Sequence, residues 1–188
     1  MNMSKLKFFR GERIVEFMEL TEASMAELER NIVFSFPHTT KRQHATGPVQ
    51  VQELKLVPYT QTNDLLVNVR VQSDGHRYDP RILILDVAYE DEDTPTNVTF
   101  TGSDGETYNV APISMKQHDV KVSCTCLDFY YRFAVWNNNA NSLYGNPPPL
   151  YRRKTETRPP VNPRRVPGIC KHIIKSVQAL RDARLVTV

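Results

Sequence analysis

Three cysteines, one tryptophan and seven glycines are all that 188 residues hold of these types. An odd number of thiols does not build the disulfide framework that staples small secreted domains. The glycines do not cluster into a phosphate-cradling loop. His-Glu-x-x-His, Gly-x-Ser-x-Gly and the deaminase pairing of His-x-Glu with Cys-x-x-Cys are also missing. With no enzyme signature, a non-enzymatic protein is expected. No apolar run approaches the roughly 20 residues of a membrane span, and Met1 to Arg10 lacks the apolar stretch of a secretory signal. The expectation is a protein made in the cytoplasm, with no membrane partner.

What is present is globular material with an uneven charge. A chain of 21.6 kDa with 40% hydrophobic residues can bury one core, either as a single domain or as a domain with an appendage. From Leu150 onward ten basic residues face two acidic ones, leaving 14 basic and 19 acidic in the first 149. The net charge of +3 thus divides into about −5 in front and +8 behind. Such polarity suits an acidic protein surface or a nucleic acid near the C-terminal end.

Alternation of apolar residues at period two marks half-buried strands. It predicts them over Arg13 to Leu20, Val49 to Val57, Leu65 to Gln72, Arg81 to Tyr89, Asn97 to Gly102, Thr107 to Ala111 and Asp119 to Cys126. Asp74-Gly75 and Asp104-Gly105 supply the positive φ of tight hairpins, so the body is expected to be antiparallel. A helix is predicted from Thr21 to Phe34, with a capping box at Ser24 and Glu27 and a Met25, Leu28, Ile32 stripe. A second runs from Cys170 to Arg184, its Ile173, Ile174, Val177 and Leu180 face docking on the sheet. Between them, residues 137–168 hold seven of the 13 prolines, which excludes regular helix or central strand for most of this arm. The predicted class is α+β. Residues 1–119 form a β-rich body, and 120–188 form a metal-binding module with the proline-rich insertion.

All three cysteines fall in one pattern, Cys124-x-Cys126 followed by Cys170-x-His172. Residues two apart on a strand share a face, so Cys124 and Cys126 are expected to converge. Gly168 is expected to allow a tight entry into the helix, setting Cys170 and His172 in its first turn, where free N–H groups favour a thiolate. Three sulfurs and one imidazole match a closed tetrahedral zinc site, with Zn–S near ~2.3 Å and no position left for a reacting water. His118 is the other nearby candidate and reads as a surface residue. The Glu90-Asp91-Glu92-Asp93 run lacks the spacing and glycine of a calcium loop and reads as a solvated turn.

The pattern Cys-x-Cys, spacer, Cys-x-His resembles the SWIM-type zinc finger, here over roughly Val120 to Leu180 with Phe129 following the first pair. The spacer, Leu127 to Ile169, is 43 residues, longer than usual for that family. The run Cys126 to Ala134, the Asn-rich and Pro-rich stretch and the Arg165-to-Ile173 ending resemble small SWIM-like structural proteins of tailed bacteriophages. That resemblance implies a virion component of the neck, tail or baseplate, made in the host cytoplasm, whose arm touches neighbouring subunits. Phe129, Tyr131 and Phe133 would share one face if this stretch is extended. The alternative is a nucleic-acid-binding module using Arg152, Arg153, Lys154, Arg158, Arg164 and Arg165, interleaved with Tyr144 and Tyr151.

Overall fold

The computed structural model describes residues 23–36, 48–92, 94–149 and 160–187. The strand expected over Arg13 to Leu20, the start of the first helix at Thr21, and Arg152, Arg153, Lys154 and Arg158 lie outside the described residues.

The α+β reading holds. Two long strands, β1 (Val49–Tyr59) and β2 (Asp64–Ser73), form an antiparallel hairpin with a bulge between Val51 and Glu53. The short β3 (His76–Tyr78) folds back on the Ser73 end of β2, through a turn whose Asp74 and Gly75 both take positive φ, at 54° and 77°. On the same edge of β2 as β3, away from β1, lie β4 (Arg81–Ile84) and then β8 (Val120–Ser123), giving the order β1-β2-β4-β8. Alternation fixes the register: Leu65, Val67, Val69 and Val71 of β2 are buried, and Ile82, Ile84, Val120 and Val122 extend the apolar sheet.

A second sheet, β5-β7-β6, is built from β5 (Tyr89–Glu90), β6 (Val98–Thr101) and β7 (Thr107–Val110). The single strand expected from Arg81 to Tyr89 is therefore two. Asp86, at φ 55°, turns the chain out of the first sheet and into the second. The Tyr89 hydroxyl donates to the Asp64 carbonyl at 2.8 Å and moors the small sheet to the β1–β2 turn. Burial pushes the pKa of this phenol up to about 12.

Helix α1 (Met25–Ser35) begins with the expected capping box, the Ser24 hydroxyl accepting from Glu27 N–H while the Glu27 carboxylate accepts from Ser24 N–H. Met25, Leu28 and Ile32 are its buried stripe. After β8 comes a continuous helical run: α2 (Leu127–Phe129), a π-helical stretch (Tyr130–Ala134) and α3 (Val135–Asn139). The extended reading of Asp128 to Phe133 is thus corrected. Cys126 caps a helix, and the helical path buries Phe129 and Phe133 but leaves Tyr131 outside. The last helix, α4 (Lys171–Asp182), lays Ile173, Ile174, Val177 and Leu180 in the core and packs mainly on β1. Each such buried side chain contributes about 1.5–3 kcal/mol. Among the described residues no helix is long and apolar enough to cross a membrane.

Candidate metal centre

Cys124, Cys126, Cys170 and His172 meet, although 43 residues separate the two pairs. Strand β8 stops at Ser123, one residue before the expected ligand pair. Cys124 leaves the sheet there, and Cys126 takes the N-cap of α2, its sulfur accepting from Phe129 N–H at 3.3 Å. Cys170 is the extended N-cap residue of α4 and His172 the second residue inside the helix. The local chain explains this. Pro167 biases Val166 to extended backbone, and the chain stays non-helical up to the extended Cys170.

The four ligand atoms lie within 4.8 Å of one another, and all four residues are buried. His172 turns its Nδ1 toward the sulfurs, 3.8 Å from Cys124 Sγ and 3.9 Å from Cys170 Sγ. A tetrahedron of Zn–S and Zn–N arms has edges of about 3.5–3.8 Å, so the cluster closes around a metal ion with little movement. Hydrogen bonds from the Cys124 and Cys170 thiols, then from His172 and Phe129 N–H, hold Cys126 well below the usual thiol range. Cys124, which donates to it, is pushed up, and burial pushes Cys170 up. A bound cation would take the place of the thiol protons, because cysteine ligates as the thiolate.

A brace that was not legible in the local sequence surrounds this cluster. Tyr78, at the end of β3, stacks on the His172 imidazole. The next residue, Asp79, donates its backbone N–H to Thr125 Oγ1 at 3.1 Å, and Asp74 at the hairpin tip takes a 2.8 Å ion pair from Lys171. One hairpin therefore touches both ligand pairs. Asp-Gly marked its turn, but no local pattern can say which distant residues a turn will face.

Gly168 is closely packed. Its φ is not in the left-handed region; instead an added Cβ would sit 2.8 Å from Phe133 Cε1 and 3.2 Å from Ile32 Cγ1. The requirement is close approach. Asn137, fully buried, holds the same glycine from the other side: its Oδ1 accepts from Gly168 N–H at 2.7 Å and its Nδ2 donates to Gly168 O at 3.0 Å. His118 stands apart from the cluster, bonded through Nδ1 to Ser114 N–H at 3.1 Å. Of the six basic residues proposed for nucleic acid, Arg164 and Arg165 are described. Both are exposed, with guanidinium carbons 4.2 Å from the Phe34 ring centre and 5.9 Å from that of Trp136.

Compared with protein-family models, curated proteins and solved structures, the chain finds no match in any of the three.

Proposed function

We propose that this protein is a non-enzymatic structural component held together by one zinc ion on Cys124, Cys126, Cys170 and His172, and that it serves in a tailed-bacteriophage virion. The observation that carries the zinc reading is the burial of all four ligand atoms within 4.8 Å of one another. Three soft thiolates with an imidazole suit zinc over magnesium or calcium, which prefer oxygen. Four protein ligands complete a tetrahedron, so the ion's part is to fasten β8 and α2 to α4. The worth of such a bond is on the order of 10 kcal/mol, comparable with a whole domain's stability.

The virion role rests on the resemblance of the Cys126-to-Ile173 stretch to small phage structural proteins. A proline-rich arm rooted beside a metal clamp suits contact with neighbouring subunits. The neck, the tail and the baseplate all suit it. The second reading, nucleic-acid binding, draws on the stacking of Arg164 and Arg165 over Phe34 and Trp136, and a salt-titrated binding assay tests it.

Metal analysis of the purified chain and of its Cys124→Ser and His172→Ala variants tests the zinc reading. One zinc per native chain is expected, lost in both variants together with cooperative unfolding. Equal folding without metal would overturn it. For the virion role, washed particles should contain the protein in a fixed copy number; its absence from them sinks that reading.

A further inference from the structure

The small sheet and the turn after the proline-rich arm carry opposite charge. From Leu85 to Met115 the chain has seven acidic residues and no lysine, arginine or histidine. This stretch folds into β5, β6 and β7, with Glu90, Asp91, Glu92, Asp104 and Glu106 exposed. Arg164 and Arg165 sit on a turn locked by the buried Asn162. The Asn162 Nδ2 donates to Arg132 O at 3.0 Å and Val166 O at 2.8 Å, while Asn162 O accepts from Arg165 N–H at 3.3 Å. Arg165 is held at φ 57°, so two consecutive arginines point to different aromatic rings. Among the described residues no carboxylate pairs with either arginine. Beside them Phe34 is 70% exposed, Val161 55% and Val33 53%. A rim of stacked arginine around exposed aromatic and aliphatic surface is the composition of a protein interface core.

The two patches lie toward opposite ends of the first sheet. The acidic sheet attaches where β1 meets β2, through Ser103 N–H to Leu56 O and Tyr89 to Asp64 O. The arginine turn lies past the C-terminal end of α1, whose start bridges Asp119 at the Asp64 end and whose Ile32 reaches Gly168 beside the metal centre. The ten residues of β2 span roughly 30 Å between those ends. Over that distance the charges do not neutralise each other within one chain, since the Debye length is about 8 Å at physiological salt.

We infer that the protein self-associates head to tail, the acidic β5-β7-β6 sheet of one copy docking on the Arg164–Arg165 turn and Phe34 of the next. The occupant is a second copy because the surface that complements the turn in charge is present on the same chain. Such an interface is heterologous: it joins two different patches, so it propagates into a ring or an open filament and does not stop at a two-fold dimer. This inference names a partner for the assembly role proposed above and rests on that role for its purpose, while its own test needs no virion.

Sedimentation of the full zinc-loaded chain over a range of concentrations tests it, at about 50 mM and about 500 mM salt. The average mass should climb with concentration at low salt, and the dissociation constant should rise at least about tenfold at high salt. Arg164→Glu/Arg165→Glu and Glu90→Lys/Glu92→Lys should each leave a monomer with unchanged zinc content and melting behaviour. Mixing the two variants restores one intact acidic sheet facing one intact turn, so association should return. A native chain that stays monomeric at low salt overturns the inference, as does a mixture that stays monomeric. A monomer that instead binds an oligothymidine strand, and loses it in the arginine variant, also overturns it and gives the turn to nucleic acid. Loss of association with full zinc retention would leave the metal reading standing.

Discussion

Tyr78 and His172, 94 residues apart, stack with ring centres 4.2 Å apart and planes 22° from parallel. The imidazole is thereby fixed with Nδ1 toward the three sulfurs, while Nε2 is buried with no hydrogen-bond partner among the described residues. Tyr78→Ala removes that wall and should cost about 1–2 kcal/mol, seen as a lower melting temperature and faster zinc loss to a chelator. Tyr78→Phe keeps the stack and should behave like the native chain. If alanine and phenylalanine lose zinc equally fast, the ring is not what orients the ligand.

Asn137 closes both hydrogen bonds to Gly168 inside the core. Asn137→Ala leaves a buried N–H and a buried C=O unpaired, and should destabilise the protein by about 2–4 kcal/mol. Urea unfolding measures it. A loss below about 0.5 kcal/mol would mean that water replaces the side chain.

Gly168→Ala puts a methyl into the Phe133 ring, 2.8 Å from Cε1. Overpacking of this kind costs about 1–3 kcal/mol. Phe133→Leu in the same chain opens room, so the double variant should lose less than the sum of the two single losses, a coupling that a double-mutant cycle reads directly. Additive losses would show that the ring is not the obstacle.

Asp119 titrates above the usual carboxylate range because burial, and then the nearby Glu27 and Asp86 carboxylates, disfavour its charge. Its folded pKa thus exceeds its unfolded one. The group costs no stability below the unfolded value. The cost grows as pH rises through the interval between the two and is fully present above the folded value. Asp119→Asn should therefore stabilise the protein at neutral pH and lose that advantage in acid, checked by urea unfolding at both. An advantage that does not change with pH would assign the effect to packing.

The elements that repeat locally were legible in the sequence. The capping box at Ser24, the Met25 and Ile173 stripes, the β2 alternation and the Cys-x-Cys with Cys-x-His pattern each depend on residues a few positions apart. What failed depended on partners far along the chain. Strand β8 ends early because Cys124 leaves the sheet for the cluster and Cys126 caps a helix. Phe129, Tyr131 and Phe133 alternate as a strand would, yet cap and cluster start them as a helix, with a π-helical stretch placing Phe133 against Gly168 and Phe36. Nothing near Asn137 or Tyr78 announces that each will grip a residue contributed by the far side of the insertion.

Since Asn137 fastens the chain just before the insertion to Gly168 just after it, the polypeptide leaves and returns at a single knot. The 30 residues between Asn137 and Gly168 are the loop that this pair closes. Lengthening it twofold adds only about 0.6 kcal/mol of closure entropy. The closure of that loop therefore depends far more on the Asn137–Gly168 pair than on how many residues lie between them.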